Sequence, residues 1–433
     1  MSALPGRGGG GLPGERVERL RVAFVAGTLG RGGAEKQLAA MARALHRAGA
    51  DVRVLSLTRG EWYERALADD GLAPCWIGRR TSPPARLAAL LAALRDSRPH
   101  VLQAAHFFAN LYVSLAAPFL GALAIGAVRN DLAHELESHG SWGRALLRLP
   151  PDLLVNAACA RRRAEALGVP AERVHVLPNV IDLDEFDRRA AEPAPALPAR
   201  LRPRARDAVR IVAVGRLVAA KRLDRLLAVV AAARREEPGL HLVVAGDGPE
   251  RVRLEAEAER LGLDAESVAF LGGQRAIPAL LRTGDLLLHT ADHEGVPNVL
   301  LEAMAAGLPV VTTAAGDSAT LVDEGRTGYV LPVPAPDGEA AVVAALAARV
   351  VTLARDEVRR RALGAAGRRR VESLYGAHGL ADRLLARYAA IAERRGRPSV
   401  AAAARALAGQ GPNATRPDRE VGPWAVRSGA REG

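Results

Sequence analysis

Short apolar runs alternate with amphipathic segments along most of the chain. The first run, Arg21–Ala26, ends at a glycine-rich turn, and apolar side chains then recur every three or four positions between Leu38 and Leu45. A second apolar run follows at Val52–Leu57. A strand, a glycine loop, a helix and another strand in this order predict a unit of parallel α/β structure.

The alternation occurs twice, which predicts two doubly wound domains. A proline-rich segment, Pro193–Pro203, interrupts it, and a new strand begins at Ile211. A last amphipathic helix has Leu380, Leu384, Tyr388 and Ile391 on one stripe. The predicted parts are a disordered extension at 1–20, a first domain at 21–185, a linker at 186–207, a second domain at 208–375, a helix at about 376–395 and a disordered tail at 396–433.

One uncharged stretch, Asn110–Val128, is long enough to raise the question of a membrane span. Pro118, Gly121 and Gly126 interrupt it, and alanines dilute its hydrophobicity. We therefore predict a buried helix to about Ala117, a turn, and a buried strand at about 122–128.

Charge and cysteine content narrow the class of protein. The net charge is +12, but the basic residues are scattered, aromatic residues make up 3% of the chain, and no nucleic-acid-binding motif occurs. An enzyme that handles anionic substrates or meets an anionic membrane explains the charge equally well. Cys75 and Cys159 lack metal-ligand spacing, and the first residues lack a secretory apolar stretch. We expect a cytoplasmic protein, peripheral on the inner face of a membrane, that binds no nucleic acid.

Two loops of the second predicted domain each leave a strand and enter a helix, at the edge where open α/β sheets bind ligands. The first contains Gly215, Arg216 and Lys221, and its two cations could converge on one diphosphate. The second, Gly246–Glu250, combines glycines that permit close backbone approach with a proline suited to a first helical turn. Two solvated cations and a capped helix start explain these loops equally well when each is taken alone.

A third such loop carries two carboxylates around a helix start. Glu294 lies in the loop, and Glu302 lies about 6 Å further along the axis of the following helix. The backbone amides between them begin a helix and attract phosphate. Carboxylates bind phosphate poorly, but they can bind a hexose at one end of a diphosphate and a ribose at the other. The alternative is a pair of ordinary glutamates favoured by the helix dipole.

Together these motifs resemble the donor domain of glycosyltransferase family 4. They occur in the family's order: Gly215-Arg216 with Lys221, then Gly246-Asp247-Gly248-Pro249, then Glu294-Gly295-Val296-Pro297-Asn298 leading to Glu302-Ala303-Met304. Val174–Asp182 resembles the family's hinge-side sequence, and Gly32-Gly33-Ala34-Glu35 resembles its N-terminal glycine loop. The resemblance implies an α/β protein of the GT-B fold, with two Rossmann-like domains facing across a cleft, and a retaining glycosyltransferase.

The resemblance also implies a role for each matching residue. Arg216 and Lys221 would hold the diphosphate and stabilise it as it leaves, Glu302 would bind the ribose, and Glu294 would bind the transferred sugar. His106 would face the donor sugar, although the family's His-x-His surroundings are replaced here, and a structural histidine is the alternative. The helix at 376–395 would return the chain to the first domain. The other implied donor-binding residues are Gly32, Gly33, Gly215, Gly246, Gly248, Gly295, Val296, Pro297 and Asn298.

The implied reaction needs no cofactor and no metal. In retaining transfer the leaving phosphate can itself take the acceptor's proton, so that the protein mainly stabilises charge. The Asp-x-Asp sequence Asp182-Leu183-Asp184 falls in the hinge-side motif, and we interpret it as structural. We expect a UDP-sugar in preference to a GDP-sugar, a hexose as the transferred group, and a lipid-linked or surface-glycan acceptor. Arg-rich stretches such as Arg161–Arg163 could meet an anionic membrane.

Other functions stay open on the sequence alone. A nucleotide-sugar epimerase of the same fold would need its own acid and base carboxylates. An NAD-dependent oxidoreductase would use the glycines at 30, 32 and 33, but that fingerprint is incomplete and no acidic residue closes the strand at 52–57. A non-catalytic sugar-binding homologue would have no reason to keep all four of Arg216, Lys221, Glu294 and Glu302.

Lysine is rare in this chain, which otherwise uses arginine for its strong cations. It occurs only at Lys36 and Lys221. A retained lysine indicates a site that needs the smaller head group, since a compact ammonium binds as a point charge where a planar guanidinium demands more room. Lys221 fits that interpretation. Lys36 lies beside the Gly32-Gly33 turn and could also be a lysine that was retained by chance, without a specific role.

Overall fold

The computed structural model describes residues 19–79, 81–198, 208–335 and 337–408. Two parallel β-sheets in these ranges, each flanked by helices, confirm the predicted α/β class with two doubly wound domains. Residues 1–18, 199–207 and 409–433 lie outside the described residues, and with them most of the predicted extension, the end of the predicted linker and most of the predicted tail.

The first sheet has seven strands in the order β3-β2-β1-β4-β5-β6-β7, and every pairing is parallel. The strands are β1 (Arg21–Ala26), β2 (Asp51–Ser56), β3 (Cys75–Trp76), β4 (Val101–Ala104), β5 (Leu123–Val128), β6 (Asp152–Val155) and β7 (Val174–Val176). The helices are α1 (Gly33–Arg47), α2 (Trp62–Asp69), α3 (Pro83–Leu94), α4 (Asn110–Leu120), α5 (Leu132–Ser138), α6 (Gly143–Arg148), α7 (Ala158–Ala166) and α8 (Leu183–Ala190). Helix α8 occupies the start of the predicted linker.

The second sheet has six parallel strands in the order β10-β9-β8-β11-β12-β13. The strands are β8 (Val209–Val214), β9 (Leu240–Ala245), β10 (Val268–Phe270), β11 (Leu286–His289), β12 (Val310–Thr313) and β13 (Gly328–Leu331). The helices are α9 (Leu223–Arg234), α10 (Arg251–Arg260), α11 (Ile277–Leu281), α12 (Asn298–Ala305), α13 (Ser318–Leu321), α14 (Glu339–Arg355) and α15 (Glu357–Leu374).

Each sheet reverses its strand order once, and ligands of such sheets bind in the crevice outside that point. The reversal lies between β1 and β4 in the first sheet and between β8 and β11 in the second. The glycine turn after β1 and His106 after β4 therefore lie at one reversal. The Arg216 loop after β8 and the Glu294 loop after β11 lie at the other.

The chain returns to the first domain through α16 (Leu380–Arg394). Ile181 and Gly376 form a β-bridge at the crossing, and the buried stripe of α16 joins the core cluster that contains β1 and α1. Within that cluster the Tyr388 hydroxyl donates a hydrogen bond to Gln103 Oε1 at 2.6 Å. Helix α16 is thus part of the first domain's core.

A further helix, α17 (Pro398–Leu407), follows α16 where the sequence predicted disorder. Its residues Val400, Ala401, Ala403 and Ala404 are buried in the first domain's core. The prediction of a disordered tail is therefore wrong for residues 398–407. The alanine-rich sequence of α17 led to a prediction of disorder because small side chains give a weak periodic pattern. The same small side chains permit the close helix packing seen here.

The uncharged stretch folds as predicted into helix α4 and strand β5, with Gly121 ending the helix in the left-handed conformation at φ 65°. Asn110 fixes the pair, because its side chain accepts from Ala127 N at 2.7 Å and donates to the carbonyls of Ala127 and Leu146. Among the described residues, no helix combines the length and apolar character that crossing a bilayer requires.

The packing of α17 can be tested by a matched pair of substitutions. Ala404 is 0% exposed, whereas Ala402 on the same helix is exposed. We expect Ala404→Asp to lower the free energy of unfolding by about 2–4 kcal/mol, because it buries an unpaired carboxylate. Ala402→Asp should change it by less than about 0.5 kcal/mol. Urea titration followed by circular dichroism measures both, and equal effects would contradict the packing of α17.

Candidate active site

The loops after β8 and β9 lie against each other, and glycines make that contact possible. Leu217 N donates to Asp247 O at 2.9 Å, and Glu250 N donates to Leu217 O at 3.1 Å. A Cβ on Gly246 would lie 1.8 Å from Gly215 O, and one on Gly248 would lie 2.3 Å from Leu217 O. Gly246 and Gly248 thus serve the packing of the two loops, in addition to any contact with a ligand.

The two predicted phosphate-binding cations have different surroundings. Arg216 is exposed and forms no ion pair with another described residue. Lys221 lies beyond it in the same loop, and its ammonium pairs with Glu294 Oε1. One cation is therefore free at the reversal point of the second sheet, and the other is held by the first carboxylate of the third loop.

Glu294 is the most strongly perturbed carboxylate of this site. Its side chain is 12% exposed, and Oε1 also accepts a hydrogen bond from His289 Nε2 at 3.0 Å. His289 is the last residue of β11, and its Nδ1 lies 3.0 Å from Thr312 Oγ1 on β12. Burial raises the pKa of Glu294, but the Lys221 charge and the His289 hydrogen bond outweigh burial and lower that pKa to about 2. Glu294 is therefore a carboxylate at neutral pH.

An arginine network joins the Lys221 loop to the Glu294 loop. Arg225 on α9, with 1% of its side chain exposed, donates to Thr290 O at 2.8 Å and to Asp292 Oδ1 at 2.6 Å. It also donates from Nε and Nη2 to the two oxygens of Glu339, at 2.7 and 2.9 Å. Arg222 donates to the same two carboxylates, both at 2.9 Å. The loop that carries Glu294 is thus tied to the turn that carries Lys221.

Glu302 lies on α12 and faces the first domain. Its Oε1 pairs with the ammonium of Lys36 on α1 at 2.5 Å, across the cleft between the domains. Burial lowers the pKa of Lys36, but the nearby Glu302 carboxylate raises it by more, so the net shift is upward. The two lysines of the chain therefore pair with the two carboxylates of the third loop and its helix.

Asn298, predicted to bind the donor, uses its side chain for a contact between the domains. Its Oδ1 accepts from Gln37 Nε2 and from Asn179 Nδ2, each at 3.1 Å. A Cβ on Gly33 would lie 2.3 Å from Asn298 Nδ2, so that Gly33 also serves this contact. The side-chain oxygen of Asn298 is thus engaged between the domains. Val296 is likewise fixed, because its carbonyl accepts from Asn179 Nδ2 at 3.0 Å, and Pro297 precedes the first residue of α12.

Gly295 lies beside a second contact between the domains. A Cβ there would lie 3.2 Å from Asn156 Oδ1, which belongs to the first domain. The Gly295 carbonyl accepts from Asp317 N at 2.9 Å, and the Asp317 carboxylate accepts from Ala158 N at 2.6 Å and from Cys159 N at 3.0 Å. Asp317 of the second domain thus caps helix α7 of the first domain.

His106 lies at the reversal point of the first sheet, directly after strand β4. Gly27 N donates to His106 Nδ1 at 3.1 Å, so in the neutral ring the proton is on Nε2. His106 Nε2 is 3.4 Å from Glu35 Oε1 and forms no hydrogen bond within the described residues. Glu35 is close to the glycine turn, since a Cβ on Gly32 would lie 2.0 Å from its Oε2. The structure therefore places His106, Glu35 and Gly32 close together on the first-domain side of the cleft.

The Asp-x-Asp sequence has a structural role at its first position. Asp182 Oδ1 accepts from Glu185 N at 3.0 Å and caps helix α8. Among the described residues, no group of three or more His, Cys, Asp or Glu side chains is arranged to hold a metal ion.

Several residues of this site were not predicted from the sequence. His289 had one usable signal, because it is a polar residue at the carboxyl end of an otherwise apolar strand. Lys36 stood out only by its rarity. Asn179 lies in the hinge-side motif at 174–182, but that motif gave no indication of its partner, and Gln37 and Asp317 carried no local signal, since their partners lie in the opposite domain.

Matches to family models cover both domains of the chain. Residues 31–185 match the model described as Glycosyltransferase Family 4, and residues 202–370 match the model described as Glycosyl transferases group 1. Each match thus falls in one of the two domains.

Curated relatives and solved structures agree with these matches. A GDP-mannose-dependent alpha-(1-6)-phosphatidylinositol monomannoside mannosyltransferase of Mycobacterium tuberculosis is 33% identical over 301 residues, which is 63% of this chain and 74% of the relative. A GDP-mannose-dependent alpha-mannosyltransferase of Mycolicibacterium smegmatis is 31% identical over 71% of this chain and 77% of its own length. Anabaena HepE in complex with UDP and glucose superposes with a TM-score of 0.70 over 85% of this chain and 99% of its own, at 18% identity.

Two facing Rossmann-like domains with cations and paired carboxylates in the cleft define a glycosyltransferase of the GT-B fold. The chain belongs to glycosyltransferase family 4. It is an enzyme that transfers a sugar from a nucleotide-sugar donor, which decides against the oxidoreductase, the epimerase and the non-catalytic binding protein.

The Lys221 contact allows a charge-conserving test. We expect Lys221→Arg to keep the melting temperature and to lower the turnover number by at least roughly tenfold, since a misplaced charge-assisted contact costs about 1.5–3 kcal/mol in the transition state. The longer, planar guanidinium cannot reach Glu294 and a phosphate in the same way. Steady-state kinetics measures the turnover number of Lys221→Arg. The comparison variant is Arg216→Lys, which changes the exposed cation of the same loop. Near-wild-type turnover in Lys221→Arg would make Lys221 an ordinary surface cation.

Proposed function

We propose that this enzyme is a retaining, metal-independent mannosyltransferase that uses GDP-mannose and a lipid-linked or surface-glycan acceptor. The observation that carries the proposal is the cluster of Lys221, Glu294 and His289 at the reversal point of the second sheet. The donor follows from the relatives, whose names include GDP-mannose. The UDP-sugar expected from the sequence finds no support among these relatives, and the UDP complex of Anabaena HepE has 18% identity to this chain, a likeness that reaches only the fold.

In the proposed complex, different residues of the site contact different parts of the donor. Arg216 and Lys221 meet the diphosphate, where negative charge grows as the bond from the anomeric carbon to the phosphate oxygen breaks. Glu294 accepts hydrogen bonds from the hexose hydroxyls, and Glu302 accepts those of the ribose. The acceptor hydroxyl approaches the same face of the sugar, and its proton passes to the leaving phosphate oxygen. No protein nucleophile is needed in this scheme.

Protein cations perform the neutralisation that a metal ion would otherwise supply. Arg216 is exposed and unpaired among the described residues, so a diphosphate can take it without breaking an existing contact. Lys221 has 24% of its side chain exposed and can share its ammonium between Glu294 and a phosphate oxygen. The backbone amides at the start of α12 add partial positive charge.

A peripheral membrane location is part of the proposal and concerns exposed aromatic side chains of the first domain. Phe119 on α4 is 78% exposed, and Trp142, just before α6, is 70% exposed. Helices α4 and α6 pack beside each other, and the exposed Arg144 and Arg148 follow Trp142. Exposed aromatic side chains next to arginines are suited to an anionic lipid surface, since one group enters the interface and the other meets headgroups.

A donor panel tests the proposed reaction. We expect transfer from GDP-mannose to exceed transfer from UDP-sugars by at least about tenfold, since a base-reading site rejects the wrong base by unpaired polar groups. The product should keep the α configuration of the donor, which the anomeric coupling in NMR reports. Turnover should be the same in EDTA as in Mg²⁺ because Arg216 and Lys221 neutralise the diphosphate.

Each part of that assay can fail separately. A UDP-sugar as the preferred donor would overturn the donor and leave the reaction class intact. A β-linked product would overturn retention. Activity that is lost in EDTA and wholly restored by Mg²⁺ or Mn²⁺ would overturn metal independence.

Vesicle flotation tests the membrane face. Wild-type protein should bind vesicles with a fraction of anionic phospholipid and should not bind neutral ones. Phe119→Ser with Trp142→Ser should reduce binding at least roughly tenfold, since two exposed aromatic groups leave the interface. Val252→Ser and Val358→Ser, at residues of the second domain that are 78% and 80% exposed, are the matched controls. Equal binding by both double variants would exclude this face.

A further inference from the structure

Lys36 brings a charge from the first domain to the second domain's donor site. Its ammonium lies 2.5 Å from Glu302 Oε1, and 32% of its side chain and 16% of that of Glu302 are exposed. No hydrogen bond engages Glu302 Oε2 within the described residues. One carboxylate oxygen is thus held by the opposite domain, while the other stays available.

The position of Lys36 is fixed by two helix starts that meet across the cleft. Gln37, the next residue on α1, donates to Asn298 Oδ1 at 3.1 Å and to Val180 O at 2.8 Å. Gly33, one turn earlier on α1, lies so close to Asn298 that a side chain would collide with it. Asn298 and Glu302 are four residues apart on α12 and therefore lie on one face of that helix. The α1 contacts thus align Lys36 with Glu302 through the backbone of both helices.

This arrangement suits the recognition of a ribose. Two neighbouring hydroxyls need an acceptor that is ionised and held in one orientation, because a freely rotating carboxylate loses entropy when it binds. Lys36 supplies the orientation and offsets the carboxylate's charge next to a diphosphate. An ammonium has three donors, so Lys36 can keep Glu302 and still donate to the ligand.

We propose that Lys36 is a positioning residue for ribose recognition: it holds Glu302 Oε1 so that Oε2 accepts the ribose hydroxyls of the donor nucleotide. This inference rests on the proposed role of Glu302 and adds a residue from the first domain to the donor site. Ribose recognition consequently depends on the contact between α1 and α12. In an open cleft Glu302 would be a mobile, hydrated carboxylate.

The experiment compares three ligands by titration calorimetry: GDP, 2′,3′-dideoxy-GDP and inorganic pyrophosphate. Wild-type protein should bind GDP roughly tenfold more tightly than dideoxy-GDP, as expected for hydrogen bonds to a charged acceptor. Lys36→Met should lose that preference: its affinity for GDP falls to that for dideoxy-GDP. Its affinities for dideoxy-GDP and pyrophosphate should match those of the wild type within about twofold, a spread that lies inside the context dependence of such contacts.

Matched variants separate positioning from folding and from general charge. Arg47→Met removes an exposed cation from the last turn of the same helix and should bind all three ligands as the wild type does. Lys36→Arg should restore part of the ribose preference, since a guanidinium also donates to Glu302. Lys36→Met should keep the wild-type affinities for dideoxy-GDP and pyrophosphate, and it should keep the wild-type melting temperature. A misfolded variant would not show this combination.

The outcomes distinguish this inference from the proposed function. A wild-type protein that binds GDP and dideoxy-GDP equally would overturn the ribose role of Glu302 itself. A wild-type preference that survives in Lys36→Met would overturn the role of Lys36 and leave the site assignment intact. Equal losses for all three ligands in Lys36→Met would make Lys36 a phosphate-binding cation instead. If the donor is a UDP-sugar, UDP and its dideoxy form replace the guanine nucleotides with the same expectations.

Discussion

The ionised carboxylate of Glu294, held away from water, is the constraint on which the site depends. A buried carboxylate is stable only when it is paired and hydrogen-bonded, and Lys221 and His289 satisfy that requirement from two different elements. His289 is in turn placed by the register of β11 beside β12, where His289 lies opposite Thr312. The position of one charge therefore fixes the relation between a loop after β8, the end of β11 and the strand β12.

The arginine network explains how two separate loops keep that relation. Arg222 adopts the left-handed conformation at φ 48°, which costs a non-glycine residue about 1–2 kcal/mol. Its guanidinium contacts Asp224, Asp292 and Glu339, which offsets the cost and keeps Lys221 at the end of a tight turn. Burial lowers the pKa of Arg225, but Glu339 and Asp292 raise it by more, so this nearly inaccessible guanidinium stays charged. The network therefore holds the turn that carries Lys221 and the loop that carries Glu294 in a fixed relation.

The sequence predicted the strands and loops that local patterns determine. It did not predict the side-chain contacts that form between the two domains. Apolar runs located most strands, such as Val268–Phe270, since a buried parallel strand is apolar throughout. The motif loops located Lys221, Glu294 and Glu302. The contacts of Gln37, Asn179 and Asp317 could not be predicted because each residue finds its partner more than a hundred residues away, in the opposite domain. Asn298 shows the same limit: its motif was visible, but the use of its side chain was not.

The charges of the cleft bear on the proposed mode of donor binding. Lys221 with Glu294 and Lys36 with Glu302 are two neutral pairs, and Arg216 is the exposed cation without a partner among the described residues. In the proposed donor complex, a diphosphate that binds Arg216 would also attract Lys221, which would weaken the contact between Lys221 and Glu294. The carboxylate then has more capacity to accept hydrogen bonds from sugar hydroxyls, while His289 keeps it in place. In the proposed complex, phosphate binding would thus prepare the sugar site through one shared ammonium, so that the two halves of the donor would be recognised together.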